Sequence, residues 1–272
     1  MRIQADDTSR STALMQALDA QRPRTGTIVS FADVALAELT ARVFDFVWID
    51  LEHSLLSPRD VAGLIAAVQG AGTHALVRVP SSGSELLQAV VDFGADGIVA
   101  PRVESAAQAA ALVRRLHLPP GGARGYAPRR VNGFGQRTGE HALGERPACV
   151  VQVETAAGVE ACHEIAAVDG VDVVVVGCAD LSVELGVALD LAAPALTDAL
   201  RTVGEAVAAA GVALGLAAGD GAAQLAERAG VRPRMLLYSS DARIYATAAA
   251  AAAEAATRAA DQLETQREPT RE

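Results

Sequence analysis

Short, continuously apolar runs alternate along this chain with longer stretches whose apolar positions recur at helical spacing. The runs fall at 27–30, 46–50, 75–79, 97–100, 149–153, 171–176, 213–216 and 235–238. Most lack the apolar–polar alternation of a half-exposed strand, so they predict strands covered on both faces. The stretches between them predict helices at 33–41, 58–71, 84–93, 105–116, 157–165, 194–210 and 221–229. Local chemistry agrees with several of these boundaries. Ser57 before Pro58 supplies an N-cap and a proline at the first helical position, with Asp60 in the first turn. Gly72 and Gly211 stand where a helix has to stop. A further helix at 11–21 precedes the first strand, and an alanine-rich one at 241–263 follows the last. Eight strands with helices between them predict a (β/α)8 TIM barrel with an extra N-terminal helix and a long C-terminal helix. A doubly wound open sheet requires a glycine-rich phosphate turn after an early strand, and the chain has none. Only 119–147, long and rich in Gly and Arg, breaks the rhythm, and loops of that length in a compact domain are functional or mobile.

The 272 residues are 51% hydrophobic and 21% charged, which fits one domain over 1–272 with its core at about 25–245 and a frayed polar tail from 261. The net charge of −10 argues against sequence-independent nucleic-acid binding, which needs a basic face. A local arginine cluster still allows a pocket to take a small anion. All 23 basic residues are arginine. Without lysine, Schiff-base chemistry, pyridoxal phosphate anchoring and a lysine P-loop are excluded. Carbanion chemistry beside a carbonyl would then require a metal. Cys149, Cys162 and Cys178 form no C-x-x-C pair and read as reduced core thiols. Residues 1–10 contain no apolar segment of a signal peptide, and no strongly apolar run of about 18 residues is present to span a membrane. A cytoplasmic protein with no membrane partner is expected.

Polar residues gather where predicted strands run into their C-terminal loops, the end at which parallel barrels place their chemistry. The second strand leads into Asp50-Leu51-Glu52-His53, the third ends at Arg78, the fifth at Gln152-Val153-Glu154, and the sixth shortly before Asp180. Gln152 and Glu154 are two positions apart and so point to one side of the strand. Two carboxylates at the mouths of buried strands are expensive to desolvate without a positive partner. A divalent cation between Glu154 and Asp180 is the simplest partner, with arginine pairing as the alternative. Two carboxylates leave most of an octahedral shell to water and substrate, which suits Mg2+, Mn2+ or Co2+ better than structural zinc. His53 is the best-placed general base, and Asp50 is expected to hold one of its ring nitrogens. Arg78 is either a structural partner of some carboxylate or, with its planar fork of donors, a clamp for a substrate carboxylate or a developing enolate oxygen. Arg124 lies among the glycines of the 119–147 loop, which is expected to close over an anionic substrate or else to be a solvated connector. His74, His117, His141 and His163 fall outside the strand ends and read as surface or packing residues.

Six segments resemble one known family in order and spacing, from about residue 26 to 215. They are Phe46-Val47-Trp48-Ile49-Asp50-Leu51-Glu52-His53-Ser54, Val77-Arg78-Val79-Pro80, the stretch from Asp92-Phe93-Gly94-Ala95 to Pro101, Pro120-Gly121-Gly122-Ala123-Arg124-Gly125, Val151-Gln152-Val153-Glu154-Thr155 and Gly177-Cys178-Ala179-Asp180-Leu181-Ser182. The family is that of the HpcH/HpaI aldolases, the class II, metal-dependent pyruvate aldolases. The resemblance implies reversible aldol cleavage of a 4-hydroxy-2-oxo acid to pyruvate and an aldehyde through a metal-stabilised enolate. It places Glu154 and Asp180 as metal ligands, Gln152 beside metal and substrate, His53 as base and Arg78 as the pyruvate-binding arginine. Asp92 matches an acid that orients the histidine from the same or a neighbouring subunit. The backbone around Ala179 and Asp180 matches the loop that receives the pyruvate carboxylate. A homo-oligomer, trimeric or hexameric, is implied, with the last helix packing on a neighbour. The chain departs from the pattern at Thr27-Ile28, where an aromatic residue is frequent, at Cys178, where proline is usual, and along Met235-Leu236-Leu237-Tyr238. Two other activities compete with the aldolase: an acyl-CoA lyase of the citrate lyase or malyl-CoA lyase type, and a non-catalytic barrel that binds a keto acid.

Overall fold

The structure is a computed structural model, which describes residues 10–19, 22–137, 143 and 146–265. Eight strands, β1 (Arg24–Val29), β2 (Phe46–Asp50), β3 (His74–Arg78), β4 (Gly97–Ala100), β5 (Ala148–Val153), β6 (Val173–Gly177), β7 (Ala213–Ala217) and β8 (Met235–Ser240), pair in parallel and close in sequence order. Helix α1 (Arg10–Leu18) precedes the barrel. Around it run α2 (Val34–Ala41), α3 (Pro58–Gly70), α4 (Leu86–Asp92), α5 (Ala106–Leu116), α6 (Ala156–Glu160), α7 (Cys162–Ala166), α8 (Cys178–Glu184), α9 (Pro194–Ala210) and α10 (Ala222–Ala229), and α11 (Asp241–Thr265) follows it. The expected (β/α)8 barrel with terminal helices is what forms.

The continuous apolar runs are explained by two separate cores. Val47, Ile49, Val77, Ile98, Val151 and Val174 face outward into the layer between strands and helices. Phe46, Trp48, Leu76, Val99, Val150, Val173, Val175, Met235 and Leu237 fill the barrel interior. Leu14 and Leu18 of α1 join the inner cluster and plug the end where the strands begin. Arg10 locks that plug, donating from Nε to Asp96 Oδ1 at 2.8 Å and from Nη2 to the Thr73 carbonyl at 2.5 Å. Gly26 is needed in β1, because a Cβ there would lie 2.2 Å from the Phe46 ring. In α3, Ser57 and Asp60 form a reciprocal capping box ahead of Pro58. Helix α9 ends at Gly211, whose φ of 71° places it in the left-handed region that glycine enters without strain.

The structure differs from expectation in several places. The helix expected at 157–165 is two short ones, α6 and α7, broken at Ala161. Helix α8 was not expected; it starts directly from β6 with Gly177 in the cap position and no side-chain cap. Helix α11 continues to Thr265, four residues past the expected tail start at 261, and 266–272 lie outside the described residues. His141 and residues 1–9 also lie outside them. Residues 119–137, the described run that follows α5, lie at the strand-start end of the barrel, opposite the strand C-termini. Among the described residues no helix is long and apolar enough to cross a membrane.

Candidate active site

At the strand-exit end, β2 and β3 are in register so that Asp50 sits beside Arg78. Arg78 donates from Nε to Asp50 Oδ1 at 2.8 Å and from Nη2 to Asp50 Oδ2 at 2.7 Å, a two-point clasp between buried groups. Its third nitrogen, Nη1, lies 2.9 Å from Glu52 Oε2, close enough for attraction but without an aligned hydrogen bond. The guanidinium also sits 5.7 Å from the centre of the Trp48 ring. Burial alone would lower the Arg78 pKa, but its bonds and proximity to Asp50, then the charges of Glu52 and Glu154, raise it, so it stays a cation.

This geometry corrects one expectation. Asp50 is engaged by Arg78 and by the Glu52 N–H at 3.0 Å, and it does not hold His53. The carboxylate beside His53 is Glu52, with 3.7 Å between Nε2 and Oε2. The imidazole is 65% exposed, open to the mouth of the barrel. Glu52 is a site residue to which sequence reasoning assigned no role. Its signal was its position between Asp50 and His53 at the same strand exit. Burial raises its pKa more than Arg78 and His53 lower it.

Across the barrel, Gln152 is inward on β5 and Glu154 directly follows that strand. Glu154 is 2% exposed; its Oε1 accepts from the Arg102 N–H at 2.9 Å, and its Oε2 accepts from Gln152 Nε2. Burial, followed by the negative charges of Glu52 and Asp180, pushes its pKa up to about 7. Gly177 makes room for both side chains, since a Cβ there would lie 2.6 Å from Glu154 Oε2 and 2.7 Å from Gln152 Nε2. Asp180 and Ala179 are exposed in the first turn of α8, directly beyond Gly177. The site therefore gathers Asp50, Glu52, Glu154 and Asp180 around one buried cation, Arg78.

That imbalance tests the fit of a divalent metal. The donors are all oxygens, as a hard cation prefers. Gln152 Oε1 and Glu52 Oε2 are buried without a hydrogen-bond donor. Glu154 is strained by neighbouring like charges that a cation would relieve. Among the described residues no three His, Cys, Asp or Glu side chains converge to hold a metal unaided. The residues fit an ion held by two carboxylates, with the rest of its shell given to water and substrate.

Two expected site residues lie elsewhere in this chain. Asp92 closes α4 at the strand-start end, where Oδ1 accepts from Gln88 Nε2 at 2.9 Å. Arg124 is buried against the end of α5, donating to the carbonyls of Leu116 at 3.4 Å and Leu143 at 3.2 Å. The glycine- and arginine-rich part of the 119–147 loop, 119–130, thus lies at the end of the barrel opposite its own site.

A barrel of eight parallel strands with acids, an arginine and a histidine at the strand-exit rim is the plan of a TIM-barrel enzyme. Residues 27–230 match the HpcH/HpaI aldolase/citrate lyase family, and the chain belongs to it. It is 37% identical over 189 residues to a 4-hydroxy-2-oxovalerate aldolase of Rhodococcus jostii, covering 67% of this chain and 72% of that one. To a hydroxypyruvate/pyruvate aldolase of Roseobacter denitrificans it is 39% identical over 165 residues, covering 59% of this chain and 64% of the relative. Among solved structures, it resembles a HpcH/HpaI aldolase/citrate lyase family protein from Burkholderia cenocepacia with a TM-score of 0.81 and 34% identity, over 90% of this chain and 99% of that one.

Proposed function

We propose that this protein is a divalent-metal-dependent pyruvate aldolase that cleaves 4-hydroxy-2-oxo acids to pyruvate and an aldehyde. The observation that carries this reading is the concentration of Glu154, Asp180 and Arg78 at one rim, with Gln152 Oε1 buried without a hydrogen-bond donor and Glu154 crowded by the charges of Glu52 and Asp180. Glu154 and Asp180 would hold Mg2+, Mn2+ or Co2+, and when bound the ion supplies Lewis-acid polarisation of the 2-oxo acid. Arg78, fixed by Asp50 and Glu52, presents its positive charge to the oxygen on which negative charge collects as the C3–C4 bond breaks. His53, open to solvent, takes the proton from the C4 hydroxyl and returns one to the three-carbon product. Glu52, not Asp50, is the acid beside that imidazole and steadies it once it is protonated. The uncapped first turn of α8 offers the N–H groups around Ala179 and Asp180 to the substrate carboxylate.

The acyl-CoA alternative is disfavoured because the arginine loop that would serve a nucleotide is committed elsewhere. Arg124 is buried, and Arg130 Nη1 donates to Gln69 Oε1 and to the Phe93 carbonyl at the far end of the barrel. The working form is a homo-oligomer. Helix α11 buries only Asp241 of its 25 residues, and a second copy is its natural cover. A second copy is also the one source from which Asp92 or Arg124 reaches the neighbourhood of His53. The test is pyruvate release from a panel of 4-hydroxy-2-oxo acids, coupled to lactate dehydrogenase, with and without Mn2+. Turnover that survives complete chelation would sink the metal-dependent reading.

A further inference from the structure

Arg102 is the second residue beyond β4, in the loop that opens onto the site. Its backbone does something unusual for a residue with a side chain: φ is 51°, in the left-handed region. That conformation points its N–H inward to Glu154 Oε1 at 2.9 Å. Strained backbone of this kind persists where the surroundings demand it and concentrates at functional sites. Glycine would adopt the same backbone without strain, so the N–H contact alone does not explain an arginine here. The side chain is 56% exposed, and its one ionic contact among the described residues is a loose 3.9 Å approach to Glu104, itself 39% exposed. The backbone anchor fixes the base of this arm against a metal-binding carboxylate, while the charged end stays in solvent at the rim.

Arg78, by contrast, is buried, clasped by Asp50 and held beside Glu52. On the aldolase reading, a substrate held by its 2-oxo acid end among Glu154, Asp180 and Arg78 has its far end toward the open rim, which the β4 exit and Arg102 border. An arginine stem and a five-carbon acid are similar in length. We propose that Arg102 is a specificity-determining residue that binds an anionic group on the far end of the substrate, so that dicarboxylic 2-oxo acids are preferred over those with an uncharged tail. The inference rests on the aldolase reading for its orientation of the substrate and adds to it the charge class of the aldehyde partner: a 2-oxo or aldehydic acid.

The test is calorimetric titration of the Mn2+-loaded full-length protein with 2-oxoglutarate and with 2-oxopentanoate, equal in length and different in the terminal carboxylate. The wild type is expected to bind the dicarboxylate at least about tenfold more tightly, the scale of one charge-assisted hydrogen bond. R102M is expected to bring the ratio of affinities close to one, and R102K to restore part of it. Wild type binding both acids equally overturns the inference. So does an R102M ratio equal to that of wild type, which would assign the side chain to Glu104 alone. Pyruvate release from an uncharged-tail 4-hydroxy-2-oxo acid, measured on the same preparation, separates the two failures. Release without a charge preference removes only the role of Arg102, and binding of neither acid with no release removes both.

Discussion

Glu154 is where burial and charge conflict most directly. The folded protein retains its proton up to about pH 7, whereas the unfolded chain releases it near the ordinary 4.5. In the metal-free protein this group therefore favours the fold fully below the lower value, and the contribution is lost as pH rises through the upper one. At about 1.36 kcal/mol per unit, the loss is on the order of 3 kcal/mol. After chelation, the fall in Tm from about pH 5.5 to about pH 8 is expected to be larger in wild type than in Glu154→Gln. Equal slopes would remove the burial argument for this carboxyl. Metal binding takes the ionised form, so below pH 7 it should release a proton, seen as a buffer-dependent enthalpy. His53→Ala is expected to lower kcat by roughly 10²–10⁴, the usual scale of a general base. Steady-state pyruvate release checks this, and an unchanged kcat removes the imidazole from the mechanism. At this scale the residue types were legible in the chain, because each polar group interrupts an apolar run at the same end of its strand. Their partners were not. Asp50 and Arg78 are far apart in sequence and meet only through the register of β2 and β3.

Among the elements, the junction of β6 and α8 decides the geometry of the acids. It brings Asp180 to the rim, and Gly177 leaves the space that Glu154 and Gln152 occupy. Gly177→Ala is expected to displace both side chains, weaken metal affinity and lower kcat by about a hundredfold or more, while costing the fold only about 1–3 kcal/mol, as overpacking does. Metal titration followed by tryptophan fluorescence and thermal unfolding separates the two effects. Wild-type affinity in that variant would mean the space is not needed. Helix α8 was invisible in the sequence because it has seven residues, begins without a polar cap and follows a strand with no intervening turn residue. The break at Ala161 between α6 and α7 likewise carries no Gly or Pro. The helices with explicit caps behave otherwise. Ser57 and Asp60 mark the start of α3, and Ser105 accepts from the Gln108 N–H at the start of α5.

For the whole molecule, α11 is the outstanding question. Alanine makes it a good helix, but its faces remain exposed, with Ile244, Tyr245 and Leu263 among them. Light scattering is expected to give a mass that is a multiple of 27.9 kDa. Removal of 246–272 should reduce the assembly while leaving the barrel folded, since the helix contributes no apolar core of its own. A monomeric full-length protein would end that proposal. The sequence by itself determined the eight-strand count, the enclosure of those strands on both faces and the clustering of polar residues at their exits. All three follow from local periodicity and from which residue types tolerate burial. The tertiary structure decided which charge pairs with which: that Arg78 takes Asp50, that Glu52 stands beside His53, and that the arginine loop lies at the other end of the barrel. Those outcomes depend on strand register and barrel closure, which are set by the packing of distant side chains and leave no mark on the order of residues along the chain.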